Sequence, residues 1–263
     1  MSSIILEGSQ PISIKINKKI YESFSDLRNF NSNLINFDNK NNIIIKKDFI
    51  NKTVPNIIRY EVELFNNGRG IQVNSILNKK NIIKNSNYND ILLNKDIRID
   101  NSIVLILESP HKAEFNYNNN DLNPISPAQG STGKNIDNKI KLLLKKIIKN
   151  DYCDFKNGNY KLVIINPVSF QTSLHFFHRK SLSKYHFKKL RDRIWQQSWE
   201  KDSIYSISLN NILNQVNSNL IINACTSNLS PFIQAFLENN FDNKVTIKTY
   251  HPSAWIFNGF GLN

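Results

Sequence analysis

Two short stretches carry the side chains most able to do chemistry. Glu108-Ser109-Pro110-His111 places a carboxylate and an imidazole either side of a proline, and Tyr250-His251-Pro252-Ser253 supplies a second imidazole. Asn166 and Asn223 each follow a run of aliphatic residues, Ile164-Ile165 and Ile221-Ile222. A carboxylate can orient water or hold a positive charge close by, and an imidazole can donate to an oxygen gaining negative charge. A side-chain amide donates and accepts at once, so it can read the edge of a base. Each residue taken singly also suits a plain turn or cap. What sets them apart is that all four stand where an apolar run stops.

Those runs are the elements that must position them. Val104-Leu105-Ile106-Leu107 reads as a strand buried on both faces, as do Leu162 to Ile165, Leu220 to Ile222 and Val245 to Thr249. Between them lie helical patterns: Gly133 to Asn150 with Ile136, Ile140, Leu143, Leu144 and Ile147 on one face, Ser183 to Trp199, Ile204 to Val216, and Ser230 through Leu237. Buried strands alternating with helices predict a three-layer α/β/α domain over 99–263, with a central parallel four-stranded sheet. The carboxyl ends of parallel strands share one edge, where ligands collect, so the four sites are expected to converge. Phe115 to Thr132 reads as a polar loop. Residues 1–98 read as an N-terminal accessory region whose clearest element is a β-hairpin, Arg59 to Phe65 and Ile71 to Val73 around a Gly-rich turn.

The formal charge of +13, from 34 Lys and Arg against 21 Asp and Glu, points to a polyanionic partner, with nucleic acid ahead of an anionic membrane. Two cysteines exclude a disulfide framework and a four-thiolate metal site. Without a secretory leader or an apolar run long enough to span a bilayer, a cytoplasmic monomer is expected. Gly130-Ser131-Thr132-Gly133-Lys134 lacks the spacing of a P-loop. His175 and His178 have no evident third metal ligand.

The order of these motifs resembles the uracil-DNA glycosylase superfamily, in particular its branch with a Gly-Glu-Ala-Pro-Gly first motif. Leu107 to His111 occupies that place, and Pro127-Ala128-Gln129-Gly130-Ser131-Thr132-Gly133 is similar to the Pro-Phe-Val-Gly-x-x-Gly that leads into a helix. Ile164 to Pro167 resembles the strand whose terminal Asn reads the base, and Thr249 to Trp255 resembles the His-Pro-Ser motif with its following wedge. The resemblance implies a DNA glycosylase acting on a base flipped out of the duplex, with Glu108 and His251 catalytic. It implies substrate contacts from Ser109, Pro110, His111, Ala128, Asn166 and Asn223. DNA contacts would come from Gly130, Ser131, Thr132, Lys134, Ser253 and the wedge Trp255.

Departures from the family pattern refine that expectation. Leu107 replaces the glycine before the acid, and His111 stands where uracil-specific relatives carry Tyr or Gly. Ala128 replaces the aromatic that stacks on uracil, which gives up roughly 1–3 kcal/mol of stacking and frees volume. A modified or bulky base is therefore expected, with a role in phage defence. Excision of uracil in base-excision repair and an inactive DNA-binding sensor of the same fold are the alternatives. Cysteines that hold an iron–sulfur cluster in some relatives are missing, so neither metal nor cofactor is expected.

Overall fold

The computed structural model describes residues 11–16, 20, 24, 34–40, 42–65, 70–76, 98–118, 121–177, 184–201 and 203–262. His178, Arg179, Lys180, the turn at 66–69 and the Asn-rich stretch at 85–89 lie outside the described residues.

The apolar runs form the expected strands and pair in parallel. Strand β6 (Ile99–Ile106) lies between β9 (Gly158–Ile165) and β10 (Val216–Asn223), and β11 (Thr246–Lys248) pairs with β10. The sheet is larger than the four strands expected. On the other side of β9, β4 (Ile57–Phe65) pairs antiparallel, and β5 (Gly70–Ser75) pairs antiparallel with β4. The six-strand order is β11-β10-β6-β9-β4-β5. The hairpin predicted for an accessory region thus extends the central sheet across the boundary drawn at residue 98. Alternation along Tyr60, Val62 and Leu64 revealed the hairpin, but periodicity within a strand does not reveal which edge it joins.

Successive residues of the inner strands face opposite layers. Val104, Ile106, Val163, Ile165 and Ile221 share one apolar cluster with α3 (Lys184–Lys201), α4 (Ser203–Gln215) and α5 (Ser230–Asn240). Ile103, Leu105, Leu162, Ile164, Leu220 and Ile222 share the other with α2 (Gly130–Lys149) and Trp255. All five apolar residues predicted for the buried face of α2 are buried. Each such Ile or Leu contributes about 1.5–3 kcal/mol on leaving water.

The segment predicted as a polar loop holds a two-stranded hairpin, β7 (Phe115–Asn118) with β8 (Asp121–Pro124), anchored by buried Phe115 and Leu122. Asn-rich sequence hid two buried side chains, and α2 starts earlier than its apolar pattern indicated. Nearer the N-terminus, β1 (Ile12–Ile14), β2 (Ile35–Phe37) and β3 (Ile43–Ile45) form a small antiparallel sheet, and α1 (Lys47–Ile50) follows β3. Arg193 Nη1 of α3 donates to Lys15 O at 2.9 Å, which ties that sheet to the core. No helix among the described residues is long and apolar enough to cross a membrane.

Candidate active site at the strand ends

Glu108 and His251 face each other, His251 Nε2 standing 3.9 Å from Glu108 Oε2. Glu108 follows β6 and is buried. Its two oxygens are engaged: Arg191 Nη1 donates to Oε1 at 2.9 Å, and Thr226 N–H donates to Oε2 at 2.9 Å. One helical turn after Arg191, Trp195 Nε1–H donates to Glu108 O at 2.7 Å, so α3 grips both the side chain and the backbone of the acid. Arg191 is itself braced by Asp192 Oδ1 and Thr226 Oγ1, and Asn228 Nδ2 donates to Asp192 Oδ2 at 2.8 Å. Helix α3 is rich in cations. Lys188 and Lys189 are exposed, whereas Arg191 turns inward. Nothing in a helix with several cations marks the one that serves an acid on a distant strand.

His251 caps a single 3-10 turn, Pro252–Ala254. Its Nδ1 accepts the Ser253 N–H at 3.2 Å and lies 2.8 Å from Ser253 Oγ. A ring nitrogen that accepts an N–H carries no proton, so the neutral ring bears its hydrogen on Nε2, the side toward Glu108. Desolvation holds His251 below the ordinary histidine value, with Glu108 opposing and Arg191 assisting that shift. The imidazole is thus a neutral Nε2–H donor near pH 7. The turn is fixed from two sides. Asn135 Nδ2 of α2 donates to Pro252 O at 3.0 Å, and Trp255 Nε1–H donates to Tyr250 O at 2.6 Å.

That second bond corrects the expectation for Trp255. The ring is 2 % exposed and packs against Phe260, so in this conformation it holds the turn from within. Helix α6 (Trp255–Asn258) instead exposes Ile256 and, at 84 %, Phe257. Adjacent aromatic and aliphatic residues in sequence give no sign of which one the core will take.

No protein-family model, curated protein or solved structure matches this chain.

Several predicted residues lie around the Glu108–His251 pair. Ser109 Oγ and Thr172 Oγ1 are 2.7 Å apart, Pro110 is buried, and His111 caps the 3-10 turn Lys112–Glu114 with its ring 6.2 Å from that of His175. Desolvation, Lys112 and His251 lower His111, with Glu108 opposing. Asn166 follows β9, its N–H donating to Asn56 Oδ1 at 3.0 Å. Its side chain is 2 % exposed and lies against the Glu114 carboxyl, with neither Nδ2 nor Oδ1 bonded to any other group. Ala128 is wholly buried at φ +55°, and Gly133 is required beneath it because a Cβ there would meet Ala128 O at 1.8 Å. The volume that a missing aromatic releases is therefore packed rather than open in this conformation. Gly130, Ser131 and Thr132 form the first turn of α2, without a side-chain cap, and Lys134 and Ser253 are exposed.

Asn223 does not join this group. Its Nδ2 donates to Ser230 O at 3.1 Å, and its Oδ1 accepts the Cys225 N–H, so the amide fastens β10 to α5. Cys225 is buried and its thiol is pushed well up by burial.

The sequence pattern also passed over Glu114. This carboxyl is 2 % exposed and lies near Asn166, Ala128 and Glu108. Desolvation pushes it up to about 8, with hydrogen bonds from the backbone of His111 and Ala128 and from the Asn166 side chain working the other way. Lys112-Ala113-Glu114 looks like any polar turn; only the long-range packing of the strand ends buries it.

Proposed function

We propose that this chain is a DNA glycosylase that hydrolyses the N-glycosidic bond of a base turned out of the duplex, with a modified or bulky base as its substrate, for which the chain packed around Ala128 must move aside. The observation that carries the reading is the facing of Glu108 and His251, 3.9 Å apart, at the ends of parallel strands. Cleavage builds positive charge on the sugar and negative charge on the departing base. Glu108, fixed by Arg191 and the Thr226 N–H, is a stationary negative charge for the sugar and an acceptor that can orient water. The Nε2–H of His251 is a donor for the base carbonyl as charge collects there. Asn166, whose amide meets only the Glu114 carboxyl, keeps capacity to donate and accept at a base edge.

The inner strand order β11-β10-β6-β9, all parallel, supports a uracil-DNA glycosylase-like core. The net charge of +13, exposed Lys134, Lys188 and Lys189 and the apolar tip at Phe257 support a DNA partner. An extruded base leaves a gap in the stack that an exposed phenyl ring can fill.

Purified protein incubated with duplexes carrying uracil or glucosylated hydroxymethylcytosine tests the reading through alkali-labile abasic sites. Release from the bulky-base duplex is expected, with Glu108→Gln and His251→Ala each slower by about 10²–10³-fold. Absence of any abasic site with the parent protein overturns it. The engagement of both Glu108 oxygens favours one second reading, a sensor that binds the flipped base without turnover. Tight binding without release identifies that case.

A further inference from the structure

Six residues past Glu108 stands the other carboxyl of the site, and its surroundings are the opposite of those of Glu108. Glu114 and the Asn166 amide are buried side by side, and beyond their contact with each other neither Glu114 Oε2 nor the two amide atoms of Asn166 has a hydrogen-bond partner. Gln171 Nε2 and Ser173 Oγ, on the segment after β9, are buried and unpartnered as well. A native interior seldom leaves buried polar atoms unmatched, and each one costs about 1–3 kcal/mol. Orphaned groups gathered beside a catalytic pair are what a polar ligand edge would satisfy. Because these atoms are closed to solvent in this conformation, a base reaches them only when the chain covering them yields.

We propose that Glu114 is a further catalytic residue of this site, donating a proton to the ring nitrogen of a cytosine-type base while Asn166 holds the exocyclic amine. This rests on the glycosylase reading and adds to it the class of base. Uracil carries a hydrogen on the corresponding ring nitrogen and departs as an anion that a donor to its carbonyl can stabilise. A cytosine-type base offers a lone pair there and makes a poorer anion, so its departure calls for a proton. In the step, the Glu114 O–H bond breaks and an N–H bond forms on the base. The C1′–N bond breaks with its electron pair going to the base, and a water oxygen bonds to C1′. The water proton passes to solvent, from which the Glu114 carboxylate is reprotonated, so the net reaction consumes one water.

The titratable side chain facing Glu114 is Glu108 at the end of β6, with His251 and Arg191 around Glu108, while His111 meets Glu114 through its backbone. Burial first, then Glu108, keeps the Glu114 carboxyl protonated at neutral pH, the state a proton donor requires. His251 and His111 are both shifted downward, so they titrate on the acid side and do not produce an alkaline limb.

The test compares base release from duplexes carrying one cytosine-type base, plain or substituted at C5, with release from a uracil duplex, between pH 6 and 9.5. Glu114→Gln keeps volume and a donor but cannot ionise. The parent is expected to lose cytosine-type activity about tenfold per pH unit above a midpoint near 8. Glu114→Gln is expected to lose about 10²-fold or more on that base, to lack the alkaline limb, and to lose distinctly less on uracil. Equal losses on both bases, or an alkaline limb that survives in Glu114→Gln, overturn the proposal while leaving the glycosylase reading intact. Should no base be released at all, equilibrium binding of free cytosine and uracil decides what survives. Cytosine binding that Glu114→Ala and Asn166→Ala both abolish leaves base recognition alone and overturns Glu114 as a proton donor. No binding of either base, or binding indifferent to both substitutions, ends the proposal together with the parent reading.

Discussion

Glu108 and Glu114 lie one short turn apart, yet the fold treats them in opposite ways. The first has a guanidinium on one oxygen, a backbone N–H on the other and an imidazole facing it. The second is just as buried but has no cation beside it, and one of its oxygens meets nothing beyond the neighbouring Asn166 amide. A buried carboxyl can be made tolerable by pairing its charge or by suppressing it. Here both solutions occur within one site. A fixed charge and a protonated acid are different tools, so position along the chain says less about a carboxyl's role than what the strand ends pack against it.

Breaking the paired half should have the largest effect. Arg191→Met keeps the stem of the side chain but strands Glu108 without its cation, although both partners are largely buried. A loss of about 3–5 kcal/mol is expected in urea unfolding, because an unpaired buried charge costs more than a pair contributes. Combining it with Glu108→Gln should recover part of that loss. A cost below about 1 kcal/mol would mean that the pair behaves like an exposed one, and the contrast with Glu114 would weaken.

The difference between the two halves also marks what the sequence could and could not tell. Glu108, Asn166 and His251 were legible because each ends an apolar run, and parallel strands bring such ends together. Arg191 was not, since one inward cation among Lys188, Lys189 and Arg193 has no local signature. Glu114 was hidden in a polar turn for the same reason, as burial by distant chain leaves no local trace. The hairpin over β4 and β5 announced itself by alternation, while its pairing with β9 is a long-range property. Trp255 and Phe257 differ only in which one the second apolar cluster can accommodate, and the rim residue was missed on that account.

The unpaired half can be read through pH with no substrate present. An unfolded glutamate ionises near 4.5, whereas folded Glu114 holds its proton to about 8. Between those values the unfolded chain gives up a proton that the folded chain keeps, so stability falls as pH rises. The benefit of the protonated state is complete below 4.5 and spent above 8. The slope in that window is at most about 1.4 kcal/mol per pH unit. Glu114→Gln removes this component, so its stability relative to the parent should climb from pH 5 to pH 8 in denaturation curves. A constant difference between the two proteins would place Glu114 in the same class as Glu108.

The smallest effect sharpens the comparison at its third member. His251 is set by two donors at Nδ1, the Ser253 N–H and the Ser253 hydroxyl. If the backbone donor alone decides the tautomer, Ser253→Ala leaves the hydrogen on Nε2 and removes one hydrogen bond, worth about 0.5–1.5 kcal/mol. Base release should then fall by less than about tenfold, and the imidazole nitrogen shifts of His251 should still report a protonated Nε2 near pH 7. Should the hydroxyl be the deciding donor, the same substitution would let the proton move to Nδ1. Nε2 would become an acceptor facing a carboxylate, and activity would drop as far as it does in His251→Ala. The two outcomes differ by a decade or more in rate, enough to tell whether the imidazole owes its donor face to main chain, as Glu108 partly owes its place to the Thr226 N–H, or to a side chain that can be removed.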